Sequence, residues 1–293
     1  MSTPQIDSGR RGSNRADMKM AGALLAPATA VVVLMMLAPL MLLLRISLNR
    51  FDPTRLMVEA FSLNNYLKFF ADPYYFEVLL TTVLVALITT VACIIFALPI
   101  AYGLARMRSR WKSLCILAIV LPLFVGSTVR SVGWMLLFSK AGMLNFIAGL
   151  LGLGDITLMY TPFGVVIGII SVNLPFMILT LQSVMEGIEG DLEQAAQSLG
   201  ASPWTAFWRI VWPIALPGIT IAAVLSFILA MNAFATPLLI GGPRFHMMAP
   251  LLYWEFASNN NWPMAAMLAL VLMSTTLAMA ALSNKLVRRS DTG

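Results

Sequence analysis

The residues of this sequence that are able to do chemistry are few and widely spaced. One histidine (His246), two cysteines (Cys93 and Cys115) and 13 carboxylates serve 293 residues. No helical His or carboxylate pair has metal-ligand spacing. No Gly-Lys pair occurs either, so the phosphate-cradling loop G-x-x-x-x-G-K-[ST] is missing. Neither an enzyme nor a chain that hydrolyses ATP by itself fits, and no metal or cofactor is expected. His246 reads as a solvated loop residue, and the two cysteines, both inside apolar runs, read as small hydrophobes. What remains is recognition chemistry. Arg130, with Trp134 one turn further on, lies in an apolar run, where a charge is costly unless it faces a cavity or a partner, or reaches the interface with its long stem. Asn173 beside Pro175, and Asn232, are amides in apolar runs that need partners, either as helix-helix glue or as contacts for a passing solute. Glu255 stands among Tyr253, Trp254 and Trp262 in the loop "YWEFASNNNWP", where carboxylate and aromatic faces would attract an ammonium. Arg130 would repel the same cation.

These residues are held by a chain built for a bilayer. It is 59% hydrophobic and 11% charged, with a mean hydropathy of +0.85, too apolar for an ordinary soluble domain. The net charge of +6 comes from short basic clusters between apolar runs, not from a basic face, which argues against nucleic acid. A helix needs about 20 apolar residues to cross the hydrocarbon core. Six runs of that kind are expected, at residues 21–44, 78–105, 114–138, 162–181, 214–240 and 263–284. The first, "AGALLAPATAVVVLMMLAPLMLLL", outruns a signal peptide's apolar region and continues past its small-residue "ATA", so it is expected to remain as a helix.

Basic clusters set the expected orientation. Arg10, Arg11, Arg15 and Lys19 precede the first run, Arg106, Arg108, Arg110 and Lys112 separate the second from the third, and Lys285, Arg288 and Arg289 follow the sixth. Six spans put all three clusters on one side, the cytoplasm, with both termini there. Residues 1–20 read as a disordered cytoplasmic tail, 21–285 as a six-helix membrane domain and 286–293 as a second tail. The fold class is all-α, integral to the membrane.

One stretch interrupts the apolar pattern. Residues 182–213 form a long connection that faces the cytoplasm in this topology. Leu192, Ala195, Ala196 and Leu199 make one apolar stripe on a short helix, with Glu193, Gln194, Gln197 and Ser198 elsewhere. Gly200 is placed to close that helix in the left-handed conformation. Ser202 and Pro203 read as the N-cap and first residue of a second helix carrying Trp204, Phe207, Trp208 and Val211, and Pro213 and Pro217 as a bend into the fifth span. An amphipathic elbow on lipid headgroups would explain the tryptophans. Its polar face, however, carries Glu186, Glu189, Asp191 and Glu193 against the single Arg209, which suits a protein partner better than anionic lipid.

Gln194-Ala195-Ala196, three residues, Gly200, nine residues, Ile210, one residue, Trp212-Pro213 resembles the EAA loop of binding-protein-dependent ABC import permeases, with Gln in place of the first Glu and Trp in place of a Leu. In that family the loop docks on a cytoplasmic ATP-binding subunit, so the resemblance implies that Glu193, Gln194, Ala195, Ala196, Gly200, Ile210 and Pro213 form the coupling contact, with the charge missing at Gln194 either lost from that contact or taken over by Glu193. "LPLFVGSTVRSVGWMLLFSKAGMLN" and "LIGGPRFHMMAPLLYWEFASNNNWPMAAML" are similar to the corresponding parts of the first permease in spermidine/putrescine importers. The resemblance implies a bacterial inner-membrane complex with a second, related permease, ATP-binding subunits and an extracytoplasmic solute-binding protein, importing a solute of polyamine type. Arg130, Trp134, Asn173, Asn232 and Glu255 are then candidates for the translocation path. The alternative, a self-contained secondary transporter or channel, calls for ionisable groups at mid-membrane, which Arg130 alone would supply.

Overall fold

A computed structural model describes the backbone of residues 9–107, 109–152, 154–243 and 245–290, with side chains within 26–283. Arg108, Arg244 and residues 1–8 and 291–293 of the expected tails lie outside the described residues. The first helix, α1 (Gly9–Ser47), already begins in what was expected to be a disordered tail. A small antiparallel hairpin, β1 (Arg50–Asp52) and β2 (Leu56–Val58), pairs Arg50 with Val58 and Asp52 with Leu56. Helix α2 (Asn64–Ala71) leads into α3 (Pro73–Arg106). There follow α4 (Trp111–Val120), α5 (Ser127–Phe138), α6 (Met143–Leu150), α7 (Pro162–Glu186), α8 (Gly190–Ser198), α9 (Pro203–Ala206), α10 (Trp212–Met231), α11 (Ala235–Ile240), α12 (Met248–Ala257) and α13 (Trp262–Ser290).

Six of these helical stretches are long and apolar enough to cross a membrane: Ala26–Ser47, Pro73–Arg106, Ser127–Leu150, Pro162–Glu186, Pro203–Met231 and Trp262–Ser283. Their centre is the trio α3, α7 and α10, which pack on one another, while α1 lies against α13 at the periphery. Close approach is possible because α3 turns Cys93, Ala97 and Ala101 toward Ala215 and Ala222 of α10 and Leu181 and Met185 of α7. A second core, rich in methionine, joins Val78 and Val85 of α3 to Met231, Met247, Met248, Met264 and Met267. Leu34, Met35 and Met36 of α1 stay exposed, a surface that hydrocarbon would cover.

Two expected spans are broken. The run 114–138 is not one helix: α4 ends at Val120, a tight turn occupies Leu121–Phe124, and α5 begins only at Ser127. Pro122 supplies no N–H to continue the ladder, and the extended Gly126 resets the chain direction. The run 214–240 likewise stops at Met231. Asn232 turns its amide back onto the Ile228 carbonyl at 2.8 Å, competing for an acceptor of the last turn, and Ala235–Ile240 forms a separate short helix. The expected loop "YWEFASNNNWP" is mostly helix too, since Tyr253, Trp254 and Glu255 belong to α12 and Trp262 opens α13.

Candidate functional site

The segment between α7 and α10 folds from its own capping residues. Gly200 has φ +91°, the left-handed turn that closes α8, and the N–H groups of Gly200 and Ala201 return to the carbonyls of Gln197 (2.9 Å) and Ala196 (3.0 Å). The Ser202 hydroxyl accepts the Thr205 N–H at 3.2 Å, with Pro203 as the first helical residue. At the expected bend before Pro213 the helix widens into a looser turn over Phe207–Val211, in which the Trp212 N–H bonds the Phe207 carbonyl. A proline ring at 213 would collide with the Arg209 carbonyl in a regular helix, and one extra residue in the turn makes room for it. The path from Pro203 to Met231 is therefore continuously helical.

The outward face of this helix-turn-helix sets large apolar side chains among polar ones such as Asp191, Gln194 and Gln197. Leu192 (43% exposed), Leu199 (90%) and Trp204 (71%) are open, as are Gln194, Ala195 and Pro213, while Ala196 and Ile210 are half-buried. Trp204 and Trp208 stack edge to face at 5.6 Å, and Trp208 continues to Trp212 at 4.9 Å.

Glu193 is turned the other way and is only 6% exposed. Its carboxylate accepts the Tyr102 hydroxyl at 2.6 Å and pairs with the Arg106 guanidinium. From its other nitrogen Arg106 donates to the carbonyls of Ile188 (3.0 Å) and Met185 (3.4 Å), closing the C-terminal end of α7. Lys112 meets Glu186 at 2.7 Å beside it. In this conformation the Glu193 carboxylate is held within the chain and does not stand beside Gln194 on the exposed face. The sequence marks Arg106 only as a topology signal and Tyr102 not at all, because they lie 87 and 91 residues from Glu193.

The path candidates divide. Asn173, buried, donates to the Ser226 carbonyl of α10 at 3.2 Å, and Asn232 caps its own helix. Both line a cavity of about 220 Å³ together with Ser127, Thr128 and Thr236. Arg130, Trp134 and Glu255 are not among its lining residues. Arg130 lies along α7, donating to the Ser171 carbonyl at 3.3 Å and to Val125 at 3.1 Å, and the Trp134 indole N–H reaches the Ser171 hydroxyl at 2.8 Å. Glu255 is half-buried on α12. A larger cavity of about 530 Å³ is walled by Tyr74, Tyr160, Phe245, His246 and Trp254. His246 packs edge-on against Tyr74 at 5.9 Å and is half-buried, not simply solvated.

The family described as the binding-protein-dependent transport system inner membrane component matches residues 94–291. The chain belongs to that family. It is a permease subunit of an ABC importer and a multi-pass inner-membrane protein, which sets aside the self-contained transporter. It is 32% identical over 243 residues to the spermidine/putrescine transport system permease protein PotB of Escherichia coli (strain K12), covering 82% of this chain and 88% of the relative. The PotB of Haemophilus influenzae is 28% identical over 263 residues, 88% of this permease and 92% of that one. A probable sulfate transport system permease protein, cysT of Marchantia polymorpha, is 32% identical over 190 residues, 64% and 65% of the two chains. The fold is similar to that in the crystal structure of a bacterial ABC transporter involved in the import of the acidic polysaccharide alginate, with TM-score 0.77 at 16% identity over 96% of this permease and 99% of that chain.

Proposed function

We propose that this permease forms one half of the path for a polyamine-type solute and receives work through residues 182–213. The observation that carries the reading is the apolar strip of Leu192, Leu199 and Trp204, held outward on a capped helix-turn-helix. Water-exposed leucines on a rigid element favour a protein partner. In this reading the loop and both termini face the cytoplasm, ATP is bound and hydrolysed by separate subunits, and a second, related permease completes the path. An extracytoplasmic solute-binding protein delivers the solute, a reading supported by the similar alginate transporter fold seen in complex with an alginate pentasaccharide-bound periplasmic protein. Gln194, Ala195, Ala196, Gly200, Ile210 and Pro213 build the coupling contact, and Asn173 and Asn232 line the path at the smaller cavity.

The PotB relatives support a polyamine-type solute, and the aromatic walls of the larger cavity suit an organic ammonium. The test is co-expression with the neighbouring genes and affinity purification of this chain. An ATP-binding subunit is expected to copurify, and to be lost from Leu199→Asp. In proteoliposomes the complex is expected to take up labelled spermidine or putrescine in preference to sulfate. Absence of the subunit sinks the coupling reading, and preference for sulfate sinks the solute.

A further inference from the structure

The carboxylate expected to face a partner is instead locked inside the chain, and its lock sits at one end of the longest interior helix. Tyr102 and Arg106, one turn apart at the end of α3, both hold Glu193 of α8. Tyr102 also packs edge-on against Phe207 at 5.0 Å, so the same turn of α3 grips the second arm of the loop. Arg106 adds the carbonyls of Met185 in the last turn of α7 and of Ile188 just beyond it. A nearly buried carboxylate cannot leave its guanidinium without being stranded as an unpaired charge, so the loop is tied to α3 far more firmly than by a surface ion pair. In the opposite half of α3, nine residues from its start, the buried Thr82 hydroxyl accepts the N–H of Met248, the first residue of α12, at 2.9 Å while donating to Val78 at 2.8 Å. Thr82 and Arg106 stand about 36 Å apart along a helix rising about 1.5 Å per residue.

We infer that the Arg106–Glu193 pair is a positioning latch that makes the loop and α3 move as one body, so that α3 carries loop displacement to α12 and its aromatic cavity. Glu193 and Arg106 are positioning residues here and touch neither solute nor ATP-binding subunit. The inference rests on the loop being the docking element. A continuous helix anchored at two distant points, with Pro99 the one break in its hydrogen-bond ladder between them, is the kind of physical element that coupling between distant sites requires.

The experiment uses the whole complex with Cys93 and Cys115 replaced by alanine and spin labels at Gly103→Cys, where an added side chain meets open space, and Gln197→Cys on the exposed face of α8. The distance between the labels is measured by pulsed EPR before and after trapping with ATP and vanadate. With the latch intact it is expected to stay fixed. In Glu193→Gln or Arg106→Gln it is expected to shift or broaden by about 2–5 Å on trapping, with the ATP-binding subunit still copurifying. The double variant should be no worse than either single one, because both remove the same interaction. A shift in the unmutated latch, an unchanged distance in Glu193→Gln, additive singles, or loss of the subunit from Glu193→Gln each overturns the latch. Absence of the subunit from the unmutated complex instead removes the docking reading on which it stands.

Discussion

Arg130 donates to the carbonyl of Ser171 at 3.3 Å, and Ser171 stands four residues before Pro175. In a regular helix that carbonyl would receive the N–H of residue 175, which proline lacks. The arginine therefore fills a gap that a proline opens in a neighbouring helix, and Trp134 binds the hydroxyl of the same serine. Arg130→Leu should destabilise the complex by about 1.5–3 kcal/mol, the range for a hydrogen bond to a charged group. In a Pro175→Ala background the Ser171 carbonyl regains a donor, so the cost of Arg130→Leu should shrink. Thermal unfolding of the four variants in detergent measures the difference. Equal costs in both backgrounds would show that Arg130 acts elsewhere.

Gly218 of α10 lies against Val184 of α7, so closely that a methyl group at 218 would overlap the valine side chain. Gly218→Ala is expected to cost about 1–3 kcal/mol by overpacking. Val184→Ala should recover most of it, because the obstacle is a side chain and not backbone. Helical circular dichroism on heating would reveal the pattern, and an unrescued loss would point to strain in α10 itself.

Hydropathy made the six crossings legible, because about 20 apolar residues without charge have few other uses. It did not reveal where they break. Pro122 and Gly126 were visible in the run 114–138, but an average over apolar side chains does not register a missing N–H. The loop's punctuation was readable for the opposite reason: Gly200, Ser202 and Pro203 act on their own backbone within a few residues. Glu193 was misplaced because its partners come from another helix. A carboxylate on a short helix looks solvated until Tyr102 and Arg106 are brought to it by the packing of α3 against α7. The cost of Arg130 is legible in the sequence, yet one of its two acceptors, the Ser171 carbonyl, is left open by a proline 45 positions later.

At the turn of the β hairpin, Asp52 accepts the Thr54 hydroxyl at 2.5 Å and the backbone N–H groups of Thr54 (2.8 Å) and Arg55 (3.0 Å). The Thr54 hydroxyl, then these amides, hold its carboxyl below the ordinary value of 3.8. A lowered folded value means that the carboxylate favours the turn above the unfolded value, and that this support is lost as pH falls through the folded one. Protection of the Thr54 and Arg55 amides, corrected for intrinsic exchange, should therefore hold at pH 5–7 and fade below about pH 3.8. Asp52→Asn should flatten this dependence. Global stability should follow it only weakly, since the turn lies outside the two hydrophobic cores.

The turn at Gly200 offers the sharpest separation of folding from work. A side chain there meets open space, so its only obstacle is the backbone at φ +91°. A residue with a Cβ in the left-handed region costs roughly 1–2 kcal/mol, and a β-branched one fares worst. The strain falls on an exposed turn that contributes little to the core, so Gly200→Val should insert and melt within a few degrees of the parent. The angle between α8 and α9 should change, and with it the presentation of Leu199 beside Trp204. Uptake in proteoliposomes is expected to fall about tenfold or more, and the ATPase to lose its response to solute-loaded binding protein. Gly200→Asn, which tolerates positive φ better, should fall between the two. Normal uptake with a normally stimulated ATPase in Gly200→Val would mean that the turn transmits nothing.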